Sequence, residues 1–169
     1  MAQIKIQTSI DQERIESLLN KIYAACRTDP NLSPRPMSEL KNAYKKKNIL
    51  IATYGSSIVG WVLRIPFNKI CQELAAGYVV EKYRSQGVFE KLLHAALPYA
   101  NSSIIVTFNY PFANYLIKKE AFKKSSLVEA VKLSKGKFLI NRINLDRIKA
   151  IRNYYQTNKP IYTIYKSNE

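Results

Sequence analysis

The chain has 169 residues, 47% of them hydrophobic and 23% charged, so it is long enough for one globular domain with a real core. Its formal net charge is +15, with 27 Lys and Arg against 12 Asp and Glu, which suits a polyanionic ligand or a nucleic-acid partner as well as a solvated basic surface. No apolar run approaches the roughly 18–20 residues that a membrane span needs, and the two cysteines, Cys26 and Cys71, form no metal or redox spacing. The expectation is a cytoplasmic protein with reduced thiols, no metal and no membrane partner.

Residues 3–8 alternate Ile4 and Ile6 with Lys5 and Gln7, the pattern of a first strand rather than a signal peptide. Ser9 is expected to cap the next helix, with Gln12 closing a capping box. That helix places Ile15, Leu18, Leu19, Ile22, Tyr23 and Cys26 on one face and ends before Asp29-Pro30, so Cys26 reads as core. The prolines at 30, 34 and 36 make residues 29–37 a loop, after which Ser38 is expected to cap a short helix carrying Leu40, Ala43 and Tyr44. Lys45, Lys46 and Lys47 suit its C-terminal dipole. Ile49–Tyr54 and Ile58–Ile65 read as a hairpin about Gly55-Ser56-Ser57, with Trp61 a core or wall residue.

The stretch Leu74–Val80 is continuously apolar, as a strand covered on both faces requires. It breaks at a polar loop, Glu81 to Gly87, and a helix follows in which Val88, Phe89, Leu92, Leu93, Ala96 and Leu97 share a stripe. Strand, basic glycine loop and helix start form a device for holding phosphate, because the first N–H groups of a helix have no intrahelical acceptor and the dipole end is positive. The sole histidine, His94, lies on the polar side of this helix. Ser103–Phe108 reads as a strand and Phe112–Glu120 as a helix. Leu127–Leu133 reads as a further strand, Ser134-Lys135-Gly136 as a turn and Phe138–Ile140 as a short extension. Asn144 is expected to cap a helix carrying Leu145, Ile148, Ile151 and Tyr155, and Ile161–Tyr165 to form a closing strand. Between residues 118 and 152 eleven Lys or Arg stand against three acidic residues, a local net of +8, and Phe138, Tyr154 and Tyr155 add rings on which bases could stack.

The central stretch resembles the acyl-CoA-binding motif of the GNAT superfamily of N-acetyltransferases. In that motif an Arg/Gln-x-x-Gly-x-Gly/Ala loop follows a strand of the type L-A-V-x-P-x-Y-R. Here Arg84 and Gly87 match, while Phe89 stands where the family has a small residue. Ala113, Leu116 and Phe122 match the family's later helix, with Ile117 at its usual tyrosine and Ala121 at its usual glycine.

The resemblance implies an α+β fold, an α/β/α sandwich. Its mixed, mostly antiparallel sheet would have about six or seven strands, splayed at the acyl-CoA site, with about four flanking helices. Residues 1–169 would be a single domain, with 134–169 a basic C-terminal extension. The implied reaction moves an acetyl group from acetyl-CoA, as cosubstrate, to a primary amine by direct attack.

Backbone groups at Tyr78, Val79 and Val80 would pair with pantetheine, and those of Arg84, Ser85, Gln86, Gly87, Val88 and Phe89 would hold the pyrophosphate. Glu73, six residues before Val79, takes the place of a general base, and Tyr110 is a candidate general acid. The helical region near residues 23–48 would form one wall of the acceptor site, and a homodimer is compatible with the fold. Three alternatives remain beside this reading. One is a coenzyme A-binding domain without turnover, the second an acetyltransferase for an RNA-borne amine, and the third a basic nucleic-acid-binding α/β domain.

Overall fold

The computed structural model describes residues 3–142 and 159–167. Seven strands form one mixed sheet in the order β1-β2-β3-β4-β5-β7-β6. They are β1 (Ile4–Gln7), β2 (Ile49–Tyr54), β3 (Ser57–Pro66), β4 (Cys71–Val79), β5 (Ser102–Thr107), β6 (Lys123–Ser125) and β7 (Ile161–Lys166). Six α-helices accompany them among the described residues: α1 (Gln12–Thr28), α2 (Met37–Lys45), α3 (Val88–Ala96), α4 (Tyr110–Lys119), α5 (Leu127–Leu133) and α6 (Lys137–Ile140). No described helix is long and apolar enough to cross a membrane. The mixed sheet and its helices agree with the expected fold class. The chain divides into two compact units, Met1–Ile65 with Leu74–Pro98, and Pro66–Glu73 with Tyr99–Glu169. The boundary therefore falls inside β4.

In the first unit β1, β2 and β3 run antiparallel, and α1 and α2 cover one side of them. Leu18, Leu19, Ile22 and Cys26 of α1 and Leu40 and Ala43 of α2 meet Ile49, Ile51, Trp61 and Leu63, as the apolar periodicity requires. α3 takes the other side of β3. A Cβ placed on Gly60 would lie 3.4 Å from Val88 and 3.3 Å from Leu92. The register between β2 and β3 shifts at Ala52/Thr53, so that Ala52 faces Gly60 and Thr53 faces Ile58. Val59 is the extra residue of that bulge, and its carbonyl accepts a hydrogen bond from Val80 N–H at 2.9 Å.

In the second unit β7 lies between β5 and β6, antiparallel to both. The closing strand of the chain is thus an interior member of the sheet. The first three residues of β4 pair in parallel with β5, Cys71 with Ser102, Gln72 with Ser103 and Glu73 with Ile104. Phe138 is fully buried, 6.0 Å from the Phe67 ring and 6.2 Å from Tyr162.

Several expected boundaries are corrected. α1 is preceded by Asp11, not Ser9, and Asp11 makes no side-chain cap; Ser9 and Gln12 form no capping box. α2 begins one residue before Ser38, after Pro36, whose fixed φ suits a helix entry. Leu127–Leu133 is a helix and not a strand. Ser126 caps it by accepting from Glu129 N–H at 3.2 Å, and Ser125 donates to the Glu129 carboxylate at 2.7 Å. Phe138–Ile140 is likewise helical, entered through Gly136 at φ 81°. The short strand β6 was not expected. The helix expected from Asn144 lies outside the described residues.

Candidate functional site

β4 is the scaffold of the site in the first unit. Ala76, in the middle of the strand, has φ 49°, a left-handed conformation that a residue with a Cβ rarely adopts. A strand kinked in this way re-aims the backbone that follows it. The small-residue run Ala75-Ala76-Gly77 is the sequence signal for such a kink. After the kink, Tyr78 stacks on Trp61 with ring centroids 4.9 Å apart. The Trp61 indole nitrogen is buried without a hydrogen-bond partner among the described residues. The Tyr78 carbonyl approaches β3 so closely that a Cβ on Gly60 would lie 2.8 Å from it.

The loop after β4 is a single 3-10 turn over Glu81–Tyr83, then Arg84, Ser85, Gln86 and Gly87. Arg84 folds back, donating from Nε to the Val79 carbonyl at 3.1 Å with its guanidinium 5.7 Å from the Tyr78 ring centre. Gln86 donates to the Lys82 carbonyl at 2.9 Å. Ser85 at φ 61° and Gly87 at φ 71° both lie in the left-handed region, so the backbone doubles back just before α3. Gly87 occupies the N-cap of α3 and supplies no side-chain cap. A Cβ there would meet nothing nearer than a Glu90 carboxylate oxygen at 3.9 Å. This is a backbone cradle at a helix start.

Phe89 has a place in this geometry. Its ring lies over Gly77, 2.8 Å from where a Cβ on that residue would stand. The aromatic side chain packs against β4, and the matching small partner is the strand glycine.

Glu73 is in the second unit. It is not a solvated strand end. Its side chain is 4% exposed, and Arg142 grips it with two hydrogen bonds, Nη2 to Oε1 at 2.7 Å and Nη1 to Oε2 at 3.0 Å. The Arg142 guanidinium also stacks 3.5 Å over the Phe138 ring and donates to the Phe138 carbonyl at 3.2 Å. Nothing in the local sequence pairs residue 73 with residue 142. Two residues before Glu73, burial and the Glu73 charge push the Cys71 thiol up to about 11.

Tyr110 is the first residue of α4 and is 67% exposed. Tyr115 donates its hydroxyl proton to the buried Glu120 carboxylate. Ala121 follows α4 at φ 56°, and Phe122 N–H returns to the Leu116 carbonyl at 3.1 Å, closing the helix with a left-handed residue where glycine is the usual choice.

No family model matches the sequence, and no curated protein matches it. Solved structures do match the fold. One is N-acetylglutamate synthase from Neisseria gonorrhoeae, complexed with coenzyme A and N-acetyl-glutamate. It is 12% identical with a TM-score of 0.67, over 100% of this chain and 36% of that one. This chain thus spans about a third of the synthase. Rv2747 from Mycobacterium tuberculosis, solved with CoA and NLQ, gives a TM-score of 0.68 at 9% identity, over 97% of this chain and 99% of that one. An acetyltransferase of the GNAT family from Staphylococcus aureus Mu50 gives 0.65 at 15% identity, over 95% and 98%. The likeness is one of fold.

Proposed function

We propose, from the GNAT acetyltransferase fold shared with these structures, that the chain is an N-acetyltransferase that moves an acetyl group from acetyl-CoA to a primary amine. The observation that carries the reading is the cradle at the start of α3: left-handed Ser85 and Gly87, no side-chain cap, and room for a Cβ at Gly87, whose nearest neighbour is a Glu90 carboxylate oxygen at 3.9 Å. Helix-start N–H groups and the positive dipole end suit a pyrophosphate. Tyr78 and Val79, beyond the kink at Ala76, would present backbone N–H groups to pantetheine and to the thioester carbonyl, whereas Val80 N–H already bonds the Val59 carbonyl and the Val80 carbonyl accepts from Tyr83 N–H.

The chemistry asks little covalent help of the protein. The neutral amine nitrogen attacks the thioester carbon, and its carbonyl electrons move to oxygen. Collapse of that intermediate breaks the carbon–sulfur bond and releases the thiolate. Backbone N–H groups aimed at the oxyanion lower the barrier. The amine proton passes through a water to Glu73, the candidate base. The thiolate is the leaving group, and solvent protonates it, since Ile117 offers no proton and Tyr110 faces outward.

The lack of a tyrosine at 117 favours a second reading, a domain that binds coenzyme A without turning it over. The acceptor is a primary amine on a small molecule or peptide. The exposed lysines Lys118, Lys119, Lys123, Lys124, Lys132, Lys135 and Lys137 make an RNA-borne amine the variant to include.

The test is calorimetry with acetyl-CoA, followed by thiol release. The acceptor panel holds free α-amino acids, dipeptides with free N-termini, polyamines and aminoacylated RNA. Binding with thiol release is expected. Binding without release across the panel selects the second reading, and no binding by the folded protein overturns both.

A further inference from the structure

We infer that the edge of the sheet at β6, in the second unit, is a surface for the phosphodiester backbone of a nucleic acid, gripped by lysines on both faces of the strand. The inference concerns the second unit alone and stands or falls independently of the transferase reading. Between Lys118 and Lys137 the chain carries seven lysines and two glutamates. Both glutamates are engaged within the unit. Glu120 is buried and accepts from the Tyr115 hydroxyl, and Glu129 accepts from Ser125 at 2.7 Å and from Lys166 at 3.0 Å. All seven lysines are exposed, and none forms an ion pair among the described residues. The positive charge of this surface is therefore not balanced locally.

Strand register places these charges. β6 is the last strand in the sheet order and pairs with β7 alone among the described residues. Lys123 stands opposite Ile164, and Lys124 opposite Thr163. Residues directly opposite in an antiparallel pair share a face, and faces alternate along each strand. Tyr162, Ile164 and Lys166 thus share the Lys123 face, and Thr163 and Tyr165 share the Lys124 face. α5 and α6 lie on the Lys123 side, because Glu129 bonds Lys166 and the Phe138 ring is 6.2 Å from that of Tyr162. The chain leaving α4 lies on the Lys124 side, because the Phe122 ring is 5.6 Å from that of Tyr165. Lys118 and Lys119 at the end of α4 extend the charge on one side, and Lys132, Lys135 and Lys137 extend it on the other. One basic rim wraps the edge.

The chemistry selects the partner. A lysine ammonium is a point charge that meets phosphate without a fixed plane, so a run of lysines with no arginine suits a repeating backbone. A polynucleotide presents a phosphate at every residue and can follow a convex rim, whereas a bilayer is flat and meets one side of it. Lysines on an edge strand also block pairing with another chain, but that role needs charge only on β6 and not on α4, α5 and α6.

The experiment is fluorescence anisotropy on the full chain without acetyl-CoA, using a labelled RNA hairpin and a labelled DNA duplex of the same sequence. With about four to seven lysines on phosphates, affinity should fall by about 150- to 6,000-fold as salt rises from about 50 to 200 mM. The double variant Lys123→Gln, Lys124→Gln should weaken binding by about 10- to 100-fold near 100 mM salt and reduce the salt slope by about 2. The double variant Lys45→Gln, Lys46→Gln removes the same charge from the exposed end of α2 in the first unit and should change neither. Preference for the hairpin would assign RNA as the partner, and equal binding of both duplexes would assign backbone charge alone; either supports the surface. Equal losses in the two double variants would show attraction by net charge and overturn it, as would no binding at about 50 mM salt. Self-association of the β6 variant with unchanged nucleic-acid binding would make its lysines edge guards only and overturn the inference. Binding to phosphatidylserine vesicles with none to either duplex would overturn it too.

Discussion

Gly87 separates the charge of the cofactor from the shape of the backbone. It stands at φ 71° and ψ 11° before α3, and a Cβ there would make an ordinary contact, 3.9 Å from a Glu90 carboxylate oxygen. Gly87→Ala therefore adds no clash and costs only the left-handed backbone, about 1 kcal/mol of stability. That strain is present with and without ligand, so the affinity for acetyl-CoA should be nearly unchanged. Gly87→Glu carries the same strain and adds a carboxylate in front of the helix start. At a separation of ~5 Å from one phosphate charge, with an effective dielectric between 80 and 20, repulsion is about 0.8–3.3 kcal/mol. That corresponds to about a 4- to 250-fold rise in Kd per phosphate charge. Calorimetry at low and high ionic strength measures both variants, and the Glu penalty should shrink as salt is added. Wild-type affinity in Gly87→Glu would refute a pyrophosphate at α3. Equal losses in both variants would show that backbone strain, not charge, was responsible.

Three further outcomes test the architecture around the site. Gly60→Ala forces a Cβ to 2.8 Å from the Tyr78 carbonyl, a backbone atom that cannot swing aside, and should lower stability by about 1–3 kcal/mol in urea unfolding. Ala121→Gly relieves a left-handed alanine at φ 56° and should raise the urea midpoint by the equivalent of about 1 kcal/mol at unchanged slope. Cys71, buried and held protonated to about 11 by desolvation and Glu73, should resist alkylation at pH 8 in the folded protein and react once it is unfolded. The linkage has a definite sign. Between the ordinary thiol value of 9.0 and about 11 the unfolded chain has lost the thiol proton that the native state keeps, so this group's contribution to stability is lost as pH rises through that window.

Much of the fold was legible because the signals are local. The apolar stripe of α1 needs only a 3.6-residue period, and the hairpin of β2 and β3 needs only two apolar runs joined by Gly55-Ser56-Ser57. The glycine loop before α3 was legible for the same reason, since φ 71° at Gly87 is a demand that one residue type meets at low cost. Where local signals competed, the reading failed. Leu127–Leu133 has the composition of a strand, yet Ser126 and Glu129 form the cap that makes it a helix, and that S-x-x-E spacing was there to be read. Ala76 shows the opposite case. A left-handed alanine inside a strand, buried in the core of the first unit, is permitted by the run of small residues but not specified by it.

By itself, then, the sequence determined the order of elements from β1 to α4, the faces they bury and the phosphate-type loop, each set by periodicity or by a single residue's backbone freedom. Tertiary structure alone decided that Glu73 is buried in a fork with Arg142, sixty-nine residues away, and that Phe89 rests on Gly77. Those pairings join residues whose separation along the chain carries no period. They exist because tertiary packing brings distant side chains to the same place, the Glu73 carboxylate against the Arg142 guanidinium and the Phe89 ring of α3 against Gly77 of β4.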